Sequence, residues 1–298
     1  MRLAYFGSPA DSVAPLRALV DAGHDVALVV TQPDRRRGRG GATAPSPVKT
    51  AALELGLGVR TPEKSREVID DVVAAGVDLA VVVAFGQLLP RALLDAVPAG
   101  FVNVHFSLLP RWRGAAPVER AILAGDDETG VCLMRIEPTL DTGPVYACER
   151  VTIESDETAG ALRARLVDVG TQLLVARLPS LLETTPVPQE GEPTYADKLE
   201  IDEFRIDPSS DAAALARLVR AGNPRPGAWF TVGGQRVKVL RAHAVDVVVE
   251  RGTVDDDARL GVAGGALALD EVQPAGKRPM PAGAWRRGLR GAVRIDGS

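Results

Sequence analysis

Two kinds of apolar run alternate along the first part of the chain. Residues 3–6, 25–31, 78–85 and 101–105 are short and nearly continuous in hydrophobic side chains, the pattern of strands in a parallel sheet covered on both faces. Between and after them, apolar residues recur at three- and four-residue spacing. A helix ending near residue 22 carries Leu16, Leu19 and Val20, and further helices are expected over 47–56, 63–75, 90–96, 115–124 and 157–183. A strand near Val59 and two over 130–136 and 145–153 complete the series. The run at 78–85 is the most apolar and is expected at the centre of the sheet. Strand, helix and strand at this spacing form βαβ units, so the fold class is α/β with a mostly parallel sheet.

The pattern changes after residue 183. Residues 184–208 are rich in Pro, Glu, Gly and Asp with little periodicity, which marks a linker. Beyond it a helix over 211–220 precedes strand-like runs over 228–232, 236–240, 245–250, 252–255 and 266–272. Gly-rich turns separate these, as in a small β-barrel or sandwich. The expected domains are therefore 1–183, a linker over 184–208, and 209–298. Within the first, residues 32–49 read as a long Gly- and Pro-containing loop with Arg35, Arg36, Arg37 and Arg39. A solvated excursion fits that composition, and so does a phosphate-contacting loop, because arginine matches phosphate oxygens and glycine lets the loop mould to a partner.

Length and composition agree with this division. A chain of 298 residues suggests two domains. No apolar run is long enough to span a bilayer, and a strand starting at Arg2 leaves no room for a signal peptide, so a cytoplasmic protein without a membrane partner is expected. Cys132 and Cys148 then read as two buried thiols in a reducing cytosol. Net charge is −4 overall but unevenly spread. From Ser209 onward there are 14 Lys and Arg against 9 Asp and Glu, so an acidic first part is joined to a basic second part. That asymmetry suggests an anionic partner for the second part, with Lys238, Arg241, Lys277 and Arg286 as unranked contacts.

The chemistry is narrowed first by what is missing. No G-x-G-x-x-G follows the first strand, no P-loop lysine pattern occurs, and G-x-S-x-G is absent. The sheet is Rossmann-like without the dinucleotide fingerprint. His24, His105 and His243 show no metal-ligand spacing, and neither cysteine has a neighbouring base. Direct transfer to an external nucleophile remains. Asn103 and His105, two apart on a strand, share one face, and Asp141 lies in a turn over 138–143. An amide donor aimed at a developing oxyanion is worth about 10²–10³ in rate, and an imidazole moving a proton about 10²–10⁴. From spacing alone the plainer readings win: a strand-end residue bonded to backbone, a satisfied core histidine and a turn cap.

The surrounding motifs are more specific. Asn103-Val-His105, Ser107-Leu-Leu-Pro110, Arg111-Trp-Arg-Gly-Ala-Ala-Pro117 and Asp141-Thr-Gly143 resemble the signature of folate-dependent formyltransferases. Thr31-Gln-Pro-Asp34, Gly38-Arg-Gly40, Pro45-Ser-Pro-Val-Lys49, Asn223-Pro224, Pro226-Gly-Ala-Trp229 and Gln273-Pro-Ala-Gly-Lys277 resemble the branch of that family acting on methionyl-initiator tRNA. The resemblance covers nearly the whole chain. It implies a Rossmann-like catalytic domain and a C-terminal tRNA-binding barrel resembling an OB-fold. It also implies formyl transfer from 10-formyltetrahydrofolate to the methionine α-amino group; no metal is expected from the histidine spacing, and a monomer is expected. By the same resemblance Asn103 and His105 polarise the formyl carbonyl and Asp141 assists proton removal. Ser107, Leu108, Leu109 and Pro110 would line the folate site, and Arg35, Arg36, Arg37 and Arg39 would meet the tRNA acceptor arm. Two departures are expected to reshape the pocket: Asp11-Ser12 where an aromatic residue is usual, and Phe106 where a small one is commoner. Formyl transfer to a small amine, such as glycinamide ribonucleotide or an amino sugar, and non-catalytic RNA binding are the competing readings.

Overall fold

Leu3, Ala4, Tyr5 and Phe6 have no solvent exposure, so neither face of the first strand is open to water. In a computed structural model, which describes residues 1–37 and 42–297, the chain divides into two compact units. The first comprises residues 1–114, 128–152 and 163–196, and the second residues 115–127, 153–162 and 197–298.

The first unit follows the predicted alternation. In chain order its elements are β1 (Arg2–Gly7), α1 (Val13–Asp21), β2 (Asp25–Val30), β3 (Arg35–Arg37), β4 (Ala42–Ala44), α2 (Pro47–Glu54), β5 (Val59–Arg60), α3 (Ile69–Ala75), β6 (Leu79–Val83), α4 (Arg91–Leu94), β7 (Phe101–His105) and β8 (Arg113–Gly114). After α5 (Pro117–Ala124), which falls in the second unit, come β9 (Glu128–Arg135), β10 (Val145–Thr152), α6 (Ala159–Leu181) and β11 (Tyr195–Ala196). The main sheet has the order β10-β9-β7-β6-β1-β2-β5, with β6 at its centre as its composition predicts. β7, β6, β1, β2 and β5 run parallel, whereas β9 and β10 are antiparallel.

Alternation along β7 separates two environments. Phe101 packs edge-on against Phe6, with ring centroids 5.3 Å apart, in a core that includes Val68 and Val72 beside α3 and Leu93 and Leu94 of α4. Asn103 and His105 continue the Phe101 face. On the other face, Val104 lies against α6 so closely that a Cβ on Gly170 would come within 3.0 Å of it. Phe106 packs at the same glycine, which is how its bulk is accommodated. Ser12 fills the other departure by donating to the Val83 carbonyl at 2.7 Å, while its own carbonyl accepts from buried Tyr5.

Two expectations need correction here. Residues 32–49 are not a plain loop: β3 and β4 pair as an antiparallel hairpin, Arg35 opposite Ala44. Three consecutive arginines have no apolar alternation to announce a strand. Arg39 lies outside the described residues. Cys132 and Cys148 are not two buried thiols but a disulfide, facing each other across β9 and β10 with Cα atoms 4.1 Å apart, and Cys148 is exposed. Spacing along the chain cannot reveal that the register opposes them.

The second unit contains α7 (Ala212–Gly222), then β12 (Ala228–Val232), β13 (Gln235–Val245), β14 (Thr253–Val254), β15 (Arg259–Val262), β16 (Gly265–Pro274), β17 (Met280–Pro281), α8 (Ala282–Arg287) and β18 (Val293–Arg294). The strands form an antiparallel half-barrel, β12-β13-β16-β15-β14-β18, with β17 on β16. Leu215 and Val219 of α7 and Trp285 of α8 close a core around Phe230, Val239 and Leu267. The strand expected over 245–250 is absent: β13 ends at Val245, and Val248 is 98% exposed. Arg286 is no surface contact either. It is buried, donating to the carbonyls of Val254, Asp255 and Gly291 and to the Asp256 carboxylate. A guanidinium buried and bonded in this way acts as an internal anchor for the half-barrel rather than as an open phosphate contact.

Candidate active site

β7 lies where the parallel strands meet the antiparallel pair: Asn103 is opposite Val82 on one side and Met134 on the other. Ligands of open α/β sheets bind at the carboxyl ends of such strands. Nearby chain ends are laced together there. The Ser8 hydroxyl and the Gln32 side chain both donate to the Phe85 carbonyl, at 3.2 and 3.0 Å. Gly86, at φ +80°, lets Gln32 approach, since a Cβ would sit 2.6 Å from its Nε2.

His105 is buried, and its environment decides its protonation pattern. Nε2 lies 3.0 Å from the Trp112 carbonyl. A carbonyl can only accept, so Nε2 carries a proton and Nδ1 is the nitrogen left for chemistry. Nδ1 faces Asp141 Oδ2 at 3.7 Å, beyond hydrogen-bonding reach. The same carboxylate oxygen accepts the Gly114 backbone N–H at 2.9 Å. Asp141 therefore does not set the tautomer, as proximity alone would suggest; the Trp112 carbonyl does. Asn103 is half-buried, and among the described residues its carboxamide takes no hydrogen bond. An unspent amide beside a committed imidazole is suited to bind something else.

The predicted wall residues follow directly. Ser107 is fully buried and donates to the Arg111 carbonyl at 2.6 Å, closing a tight turn. Leu108, Leu109 and Pro110 are half-buried, and Leu108 reaches back onto Gly130, where a Cβ would clash with it at 2.5 Å. Trp112 has φ +62° and carries the Arg111 guanidinium 4.5 Å from its ring centroid. Arg35 is exposed in β3, and among the described residues no hydrogen bond or ion pair joins it to the His105 cluster.

Other groups that shape the site carry no motif of their own. Thr194 Oγ1 accepts from Trp112 N at 2.9 Å, and Thr194 O accepts from Arg113 N at 2.9 Å. β11 pairs with β8, and a Cβ on Gly114, at φ +127°, would lie 2.7 Å from the Ala196 carbonyl. Gln189 bonds to both Asp141 and Arg113. These residues belong to a stretch without hydrophobic periodicity, and no sequence signal marks them.

Residues 1–178 match the family model described as formyl transferase, and residues 198–290 match the model of the formyl transferase C-terminal domain. The chain belongs to the formyl transferase family. Full-length formyl transferase relatives include the methionyl-tRNA formyltransferase of Ruegeria pomeroyi, 47% identical over 97% of each chain. That of Thermus thermophilus is 48% identical over 97% of this chain and 96% of its own. Solved structures share the fold. HypX from Aquifex aeolicus superposes with TM-score 0.69 at 17% identity, over 97% of this chain and 48% of its own. WlaRD, a sugar 3N-formyl transferase solved with dTDP and 5-N-formyl-THF, superposes at 0.68 with 15% identity, over 93% and 99%. Among the described residues no helix is long and apolar enough to cross a membrane, and no cluster of three or more His, Cys, Asp or Glu is placed to hold a metal ion.

Proposed function

We propose that this formyl transferase moves the formyl group of 10-formyltetrahydrofolate to the α-amino group of methionyl-initiator tRNA. The observation that carries the reading is kinship of 46–48% identity, over nearly the whole of both chains, with proteins named methionyl-tRNA formyltransferase. The site's chemistry is compatible with it. Transfer joins the amine nitrogen to the formyl carbon, breaks the bond from that carbon to N10 of the folate, and moves one proton from the amine to N10. Asn103 offers its free amide N–H to the formyl oxygen, where charge develops. His105 works through Nδ1: a lone pair in the neutral ring, an N–H donor in the imidazolium. Asp141, held by the Gly114 N–H, faces that nitrogen and takes part in removing the amine proton.

The half-buried apolar wall of Leu108, Leu109 and Pro110, stiffened by the Ser107 turn, suits the flat folate ring system. Arg35, Arg36, Arg37 and Arg39, with the net-basic segment 209–298, would meet the tRNA backbone. The test is incubation with 10-formyltetrahydrofolate and methionyl-initiator tRNA, followed by detection of formylmethionine. Release of folate with formylation only of glycinamide ribonucleotide or an amino sugar would overturn the acceptor. Salt-dependent RNA binding without turnover would overturn the enzyme.

A further inference from the structure

Gln189 lies in the segment that follows α6, outside every motif of the site. Its carboxamide is saturated. Nε2 donates to the carbonyls of Asp141, at 2.9 Å, and Gly143, at 2.8 Å. Oε1 accepts from Arg113 Nε at 3.0 Å and from a second Arg113 guanidinium nitrogen at 2.7 Å. A primary amide has two donor hydrogens and two acceptor lone pairs, and all four are used.

It joins the turn that carries Asp141 to Arg113, the residue between the two backbone groups that orient the His105–Asp141 pair. Asp141 sits at φ +52°, a left-handed conformation that L-residues rarely adopt and Asp only occasionally. One end of the turn is jammed against β9, where a Cβ on Gly143 would fall 1.8 Å from the Arg135 carbonyl. Gln189 holds the turn from outside at both Asp141 and Gly143. Arg113, meanwhile, stands between Trp112, whose carbonyl holds His105 Nε2, and Gly114, whose N–H holds the Asp141 carboxylate. The anchoring is continued by the backbone, since Val187 and Val145 exchange two hydrogen bonds of 2.8 Å.

We infer that Gln189 is a positioning residue for formyl transfer: it fixes the separation and orientation of Asp141 relative to His105 Nδ1 and touches neither substrate. This rests on the proposed roles of His105 and Asp141. A displacement of about 1 Å at a reacting group can cost about 10²-fold in rate, so Gln189→Ala is expected to lower kcat roughly 10- to 100-fold. KM for both substrates should stay within about two-fold, because nothing that binds them is removed. Gln189→Glu keeps the size and the acceptor side but loses both donors to the turn, and should fall as far.

The decisive arm is a double-mutant cycle in the full chain with Asp141→Asn. If Gln189 acts through the Asp141 carboxylate, Gln189→Ala costs little further turnover once that carboxylate is gone. A general structural role would instead cost the same in both backgrounds and lower Tm. Wild-type turnover in Gln189→Ala and Gln189→Glu, or an undiminished loss in the Asp141→Asn background, overturns the inference. Wild-type turnover in Asp141→Asn itself would overturn the role of Asp141, which separates the two failures.

Discussion

Among the described residues two histidine–aspartate pairs occur, and they differ in an instructive way. His243 and Asp270, on neighbouring strands of the half-barrel, lie 3.1 Å apart and are 60% and 41% exposed. His105 and Asp141 are farther apart, at 3.7 Å, but only 5% and 12% exposed. Distance alone would rank the first pair higher. Water ranks them the other way: an exposed pair is screened, rearranges freely and contributes about 0–1 kcal/mol. The buried pair has each partner oriented by backbone, His105 by the Trp112 carbonyl and Asp141 by the Gly114 N–H. At 3.7 Å the two side chains are held near each other without bonding to each other.

Removing the ring should separate the pairs most sharply. His105→Ala is expected to cost about 10²–10⁴ in kcat with formyl donor and charged tRNA, whereas His243→Ala should leave turnover within about two-fold. Equal losses in both would erase the distinction. Asn103→Ala, which takes away the one unspent amide on the His105 face, should cost about 10²–10³, measured as initial rates at saturating substrates; a change confined to KM would place Asn103 in binding rather than in chemistry. Gly114→Ala probes orientation without deleting a functional group. Its Cβ would meet the Ala196 carbonyl and displace the N–H that holds Asp141, so a loss of roughly ten-fold in kcat is expected, with normal KM.

The smallest effect lies in the second unit. Asp296 accepts the N–H groups of Gly233 and Gly234 in the turn between β12 and β13, and these bonds hold its carboxyl below the usual carboxylate range. A depressed carboxylate stabilises the fold above its unfolded pKa, and that contribution is lost as pH falls through the lower, folded value. Asp296→Asn should therefore be less stable than the parent near neutrality, and in acid unfolding followed by circular dichroism the difference in stability should close as pH falls below the folded value. Coincident acid curves would mean that the turn does not depend on the charge.

The first unit was largely legible because its strands are buried on both faces and so read as continuous apolar runs. Residues 79–83 are the clearest case, every side chain being buried. Asn103, His105 and Asp141 stood out only through neighbouring motifs, since two-residue spacing and a turn acid are common. What could not be read was everything held by backbone. The Trp112 carbonyl and the Gly114 N–H have no side-chain signature, and the segment 184–196 earns its place through hydrogen bonds rather than apolar periodicity. The second unit misled for a related reason. Val247-Val-Val249 has strand-forming composition, but the chain there has left the sheet, and β propensity reports fit to a half-buried surface rather than a backbone preference. The strand Arg259–Val262 was hidden by the acidic turn before it.

The lacing of residues 187–196 onto the turn at Asp141 and the strand at Arg113 also bears on modularity. A fragment ended at the last turn of α6 would retain every polar group proposed for the reaction and still be missing the cord that sets their spacing. Any portion of this chain meant to keep that spacing must run at least through Ala196. Insertions between Gln189 and Thr194 should be felt by the chemistry long before they are felt by the fold.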